Sequence, residues 1–284
     1  MKKTKVCLLL AMITAFASVS FSQVKAPNTA GVFAAHEHLT TTDIDSSRAF
    51  WTALGGEATQ VATMNGVRFP GIYILLQTNR GRGGRNANGT PAAQPAAPPP
   101  APESSVGSVA EAIGIKVKNL HETLSKLDTL GIRPEPGATA THAAVMSPAK
   151  VKVLLTEDPA LDTAAASDEL LMKVSDPAAA AAWYAKWFGA SVVTDGNNKI
   201  AKVPGMNMRF VATSTPAAGT KGRALDHIGF DVHNLQDLVT KMQAAGVTVN
   251  MPYRTINFGF LTGIAFVTDP WGTYIELNQG YDGH

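Results

Sequence analysis

The residues best equipped for chemistry lie near the C-terminus: the imidazole of His227, in LDHIGFDV, and the carboxylate of Glu276, in TYIEL. Both runs are rich in β-branched and aromatic residues, as strands are, so each group projects from one face of a sheet. Imidazole nitrogen and carboxylate oxygen suit a divalent ion such as Zn²⁺, Mn²⁺ or Fe²⁺. The same two groups can also serve, without an ion, as a hydrogen-bonded polar pair in a core. An unpaired buried carboxylate is costly, so something must face Glu276. Far upstream, His36 and His38 in AHEHL point the same way at the two-residue period of a strand. They read either as half of a metal or anion site or as core or rim histidines. Tyr253 and Arg254 in MPYR, with Trp271 and Tyr274, offer aromatic faces and a cation to a planar or carboxylated small molecule. Trp271 reads equally as packing for the turn before the last strand. No spacing of Ser, His and Asp argues for an activated nucleophile.

The elements that position these groups recur. In 225–280 a strand around His227 leads to a helix over 237–245, with Leu235, Leu238, Val239 and Met242 on one face and Gly246 ending it. Two further strand-like runs follow, the last after a Pro-Trp-Gly turn. The stretch from His36 has the same order: a strand, a turn at 43–45, a helix with Ser46 as N-cap and Phe50, Trp51 and Leu54 inward, then strands around the Pro70-Gly71 turn. IGIKVKNLHETLSKLDTLGI matches HIGFDVHNLQDLVTKMQAAGV in spacing, and ELLMKVSDPAAAAAWYAKWFGA aligns with the first copy without a gap. The chain therefore carries four similar units of strand, helix and strands, each needing a neighbour to bury its sheet.

Four such βαβββ modules, with DHIGFDV and TDPWGTYIEL in the last, resemble the vicinal oxygen chelate superfamily, which includes glyoxalase I, bleomycin- and fosfomycin-resistance proteins and extradiol dioxygenases. The resemblance implies an α+β fold in which modules pair into two open, curved β-barrels in tandem, over 36–158 and 168–280. It also implies metal ligands on the first and last strands of paired modules. The first-strand position falls on His36, Ala112, Glu169 and His227, and the last-strand position on Leu75, Leu154, Arg209 and Glu276. The C-terminal barrel would then hold Glu169, His227 and Glu276 as metal ligands, with Glu276 or Glu169 as the proton-shuttling carboxylate. The N-terminal barrel would be degenerate. Arg209, a guanidinium, cannot ligate; it would pair with Glu169 and Glu276 in the metal's place or line the cleft with Tyr253, Arg254, Tyr274 and His36. Pairing modules one and four instead would bring His36 towards His227 and Glu276. The function implied is that of a metal-dependent lyase or isomerase acting on a small oxygenated molecule. The alternatives are a metal-free small-molecule-binding protein and an extradiol-type dioxygenase.

Composition bounds the rest. Lys2, Lys3 and Lys5, the apolar run that follows and small residues at Ser20 and Ser22 have the order of a secretory signal peptide over 1–22, so a secreted or periplasmic protein is expected, with a short leader over 23–35. Cleavage removes Cys7, the only cysteine, and takes the net charge from +2 to near −1 by removing those three lysines. That leaves no basic face for nucleic acid and no membrane span in the mature chain. Residues 79–105, rich in Gly, Pro and Ala, read as a disordered insert. The oligomeric state is not encoded in any of these patterns.

Overall fold

The computed structural model describes residues 24–78 and 100–281; the predicted signal peptide and insert residues 79–99 lie outside them. Module one is β1 (Val32–Thr41), α1 (Ile44–Ala53), β2 (Glu57–Val61), β3 (Met64–Phe69) and β4 (Ile72–Thr78). Module two is one strand shorter: β5 (Ala110–Val117), α2 (Leu120–Thr129), β6 (His142–Met146) and β7 (Lys152–Glu157). Module three is β8 (Ala165–Val174), α3 (Pro177–Phe188), β9 (Ser191–Asp195), β10 (Asn198–Val203) and β11 (Met206–Ala212). Module four is β12 (Leu225–Val232), α4 (Leu235–Ala244), β13 (Thr248–Phe258), β14 (Leu261–Thr268) and β15 (Tyr274–Gln279).

The repeat is visible in the caps. Asp43, Asn119 and Asp176 each precede a helix and accept hydrogen bonds from backbone N–H groups of its first turn. Ser46 is therefore not the N-cap: α1 begins two residues before it, and Ser46 donates its N–H to Asp43. Gly189, at φ +62°, closes α3 in the left-handed conformation that glycine takes without penalty.

The four modules build two mixed sheets, of eight strands (β13-β14-β15-β12-β1-β4-β3-β2) and seven (β6-β7-β5-β8-β11-β10-β9). This corrects the expected pairing of modules one with two and three with four over 36–158 and 168–280. Instead β1 pairs antiparallel with β12, and β5 with β8, so module one joins four and two joins three. The physical reason is that every module presents the same free edge along its first strand. The short link over 158–164 lets β8 lie down beside β5, and β1 is left for β12 to complete.

Alternation along β4 separates two cores. Ile72, Ile74 and Leu76 enter a large cluster holding residues of both sheets and all four helices, including Trp51, Tyr184 and the stacked pair Phe188 and Phe230, whose ring centroids lie 4.4 Å apart. Tyr73 and Leu75 face the other way, into a smaller cluster with Phe33, Leu261 and Tyr281. The predicted insert ends earlier than expected. Ser105 is fully buried, donates to the Glu111 carbonyl and accepts from the Lys152 N–H, while the Glu103 carbonyl accepts from Ala224. No helix among the described residues is long and apolar enough to cross a membrane.

Candidate metal centre

The pairing of β1 with β12 decides what faces Glu276. Its register sets His36 opposite Gly229 and His38 opposite His227, with an irregularity between Ala34 and His36. In the parallel pairing of β12 with β15, Gly229 lies beside Glu276. His36, His38, His227 and Glu276 thus converge on one face, all buried, with one donor atom from each lying within 4.8 Å of the others. Gly229 is the clearance that permits this: a Cβ there would lie 2.1 Å from Cε1 of the His36 ring.

A supporting shell orients three of the four groups. His227 Nδ1 lies 2.6 Å from Asp226 Oδ1, and its Nε2 lies 2.8 Å from Glu276 Oε2. Asn278 Nδ2 donates to Glu276 Oε1 at 2.8 Å. Tyr281 Oη stands 3.5 Å from His36 Nδ1, and His36 Nε2 is 3.7 Å from Glu276 Oε2, beyond hydrogen-bond reach. A carboxylate on the outer imidazole nitrogen is how metal-binding histidines have their tautomer fixed. Phe266 and Tyr274, stacked at 4.8 Å, both meet the His227 ring edge-on.

The electrostatics are those of coupled, buried groups. Burial pulls the His227 imidazole down, but hydrogen bonds to Asp226 and Glu276 overcome this and lift its pKa to about 9. Burial pushes Glu276 up, and hydrogen bonding to His227 with the proximity of His36 outweighs it, holding the carboxyl well below the usual carboxylate range. Burial, then the neighbouring His227 and His36, depress His38 well below an ordinary histidine. His36 Nε2 and both nitrogens of His38 are buried with no hydrogen-bond partner. Buried polar atoms are nearly always paired, so unpartnered nitrogens on two imidazoles beside one ionised carboxylate fit a cation, and the cluster could hold a metal.

The other predicted residues lie elsewhere. Glu169, on β8, belongs to the seven-stranded sheet and cannot ligate with His227 and Glu276. Arg209 on β11 donates from Nε to both its oxygens, at 2.7 and 2.8 Å, and from Nη1 to Asp195. The expected pairing of Arg209 with Glu169 forms, and that with Glu276 does not, because the two carboxylates occupy different sheets. Tyr253 and Arg254 sit on β13; Arg254 is exposed and Tyr253 packs against the large core, so neither reaches the cluster. Tyr274 and His36 do. Trp271 caps its turn, its backbone N–H donating to Asp269 Oδ1 and its indole N–H to Ser175 Oγ. Sequence reasoning left His38 undecided and missed Asp226, Gly229 and Asn278. The signals were there in the Asp-His pair and in the two-residue spacing of Glu276 and Asn278.

Residues 166–277 match the model of the Glyoxalase/Bleomycin resistance protein/Dioxygenase superfamily. This stretch is a domain of that superfamily. Over the whole chain the likeness is one of fold. A glyoxalase I mutant from Zea mays aligns over 88% of this chain and 94% of its own, with TM-score 0.62 and 14% identity. A dioxygenase-like protein from Bacillus subtilis aligns over 91% and 87%, with TM-score 0.59 and 13% identity. No protein with a curated description matches the chain. The superfamily domain spans modules three and four, whereas the cluster draws His36 and His38 from module one, outside the matched residues.

Proposed function

We propose that the cluster is a divalent-metal centre at which a small molecule binds through adjacent oxygens, and that the protein is a metal-dependent lyase or isomerase. One observation carries this reading: three buried imidazoles and a carboxylate converge within 4.8 Å, and Nε2 of His36 and both ring nitrogens of His38 have no hydrogen-bond partner. A bound Zn²⁺, Mn²⁺ or Fe²⁺ would supply Lewis acidity toward the substrate oxygens. The protein's own groups do the rest. Asp226 fixes the His227 proton on Nδ1, leaving Nε2 as the donor; Asn278 occupies Oε1 of Glu276 and leaves Oε2 to face the substrate. With Glu169 in the other sheet, Glu276 is the cluster's one carboxylate, and its Oε2 would have to release the ion to take and return a proton. Phe266 and Tyr274 present the apolar, aromatic wall beside His227 that an oxygenated organic substrate would lie against.

A second reading, an oxygen-dependent ring-opening enzyme, has its own support: His36, His227 and Glu276 come from three strands as two imidazoles and one carboxylate, the set that non-haem Fe²⁺ oxygenases use. A metal-free binding protein with Arg209 in the metal's place has lost its argument, since Arg209 is paired in the other sheet. The deciding experiment loads the purified protein separately with Zn²⁺, Mn²⁺ and Fe²⁺, then screens α-oxoaldehyde adducts and catechols with dissolved oxygen monitored. Isomerisation or cleavage without oxygen uptake supports the first reading, oxygen uptake with Fe²⁺ alone the second. Failure to retain any metal removes both. The exported location is likewise a proposal, supported by residues 1–22 and by the absence of cysteine beyond Cys7. The N-terminus of the protein recovered from cells tests it.

A further inference from the structure

The eight-stranded sheet has an internal two-fold pattern that gives each site position a counterpart. In β1 against β12, His36 faces Gly229 and His38 faces His227, so His36 corresponds to His227 and His38 to Gly229. In the parallel pairings, His38 lies beside Leu75 and Gly229 beside Glu276, so Leu75 corresponds to Glu276. Three of the four symmetric donor places are thereby filled, by His36, His227 and Glu276. The fourth falls on Leu75, which has no donor atom and packs with Tyr73 and Tyr281.

His38 stands where that donor is missing. It is level with Leu75 on the adjacent strand, on the same face as His36 at the two-residue period, and its ring centroid is 4.5 Å from that of His227 and 5.9 Å from that of His36. Its counterpart in module four is a glycine; the aligned positions in modules two and three are Gly114 and Leu171, so nothing in the repeat itself calls for an imidazole here. Neither ring nitrogen has a partner, although the side chain is buried. A histidine kept only for packing would find a hydrogen bond for at least one of them.

We infer that His38 is a fourth protein ligand, replacing on β1 the last-strand donor absent at Leu75 and making a site of three imidazoles and one carboxylate. The inference rests on the metal-centre reading above and sharpens it. Four protein donors would leave an ion fewer open positions than three, too few for a two-oxygen substrate and dioxygen together if it were six-coordinate, which favours lyase or isomerase chemistry over ring opening.

The test uses Cu²⁺ as a spectroscopic probe in the full chain, with His38→Gln and, should that variant fold poorly, His38→Leu. Pulsed electron paramagnetic resonance counts coordinated imidazoles from their remote nitrogens, and chelator competition gives the dissociation constant. The expected result is three imidazoles in the wild type and two in the variant, with affinity lower by at least about 100-fold, beyond what loss of an outer-shell partner produces. Two imidazoles in the wild type, with His38→Gln leaving count and affinity unaltered, overturns the role of His38 while the metal centre stands. No specifically bound Cu²⁺ in the wild type overturns both.

Discussion

Gly229→Ala isolates the geometry of the centre from its chemistry, because it adds one methyl group and removes no donor. The added Cβ would sit 2.1 Å from His36 Cε1 and 2.4 Å from each ring nitrogen, where ordinary van der Waals contact begins at 3.4 Å. The ring must therefore retreat by about 1.3 Å, and a metal ligand is out of place once its bond departs from ideal by more than about 0.2 Å. Gly229 is not among the glycines at positive φ, so alanine fits the backbone. The cost to the metal-free fold is that of overpacking, about 1–3 kcal/mol, or a fall of several degrees in Tm. Metal affinity is expected to fall by at least about 100-fold, the upper end of what loss of an outer-shell partner costs. Bound metal measured by mass spectrometry after dialysis, with circular dichroism for the fold, reads both. Gly114→Ala is the control: its Cβ would meet Glu169 in the other sheet, so metal content should not change. If Gly229→Ala keeps wild-type metal affinity, His36 is not a ligand and the centre is wrongly drawn.

Three further outcomes are expected. With its pKa raised to about 9 in the metal-free protein, His227 carries a proton at neutral pH, so loading Zn²⁺ near pH 7.5 in weak buffer should release protons, and absence of release would count against His227 as a ligand. Glu37 lies on the opposite face of β1 from the cluster, fully buried, and burial raises it to about 8. Its folded value exceeds its unfolded one, so its contribution is unpenalised in acid, and stability falls as pH rises from about 4.5 through about 8, by on the order of 5 kcal/mol. Glu37→Gln should flatten that slope in denaturant titrations; an unchanged slope would dismiss the buried carboxyl as its cause. Arg209→Met should cost roughly 1–2 kcal/mol, since the pairs with Glu169 and Asp195 are partly exposed. It should leave metal content intact, and a loss of metal would reopen a link between the two sheets' sites.

What the sequence made legible was local. Apolar spacing, the turn residues ahead of each helix and the glycines that end helices act over a few residues, and they delineate the four modules, although the cap itself was read at Ser46 and lies at Asp43. His227, Glu276 and His36 were legible as candidates because strand alternation places each on one face. The choice of partners was not legible, since the first strands of the modules offer equivalent edges and the decision depends on links and packing far along the chain. Glu169 looked like a ligand for that reason alone. His38 stayed undecided between a site and a core or rim residue because its partners, His227 and Glu276, are supplied by the last module. The caps also mislead by a turn where two candidates stand close together, as Ser46 and Asp43 do.

Closure of the eight-stranded sheet by the first and last modules makes the centre a product of finished synthesis. A nascent chain holds His36 and His38 from the outset, yet Glu276 emerges only with the final strand, after the two middle modules have had time to pair. No fragment shorter than 36–276 contains the full donor set, and an isolated piece spanning 166–277 carries only half of it. Joining segments so far apart in sequence is slow compared with forming the helices. An ion held by this cluster would thus be captured as the closing event of folding, from whatever the compartment offers at that moment.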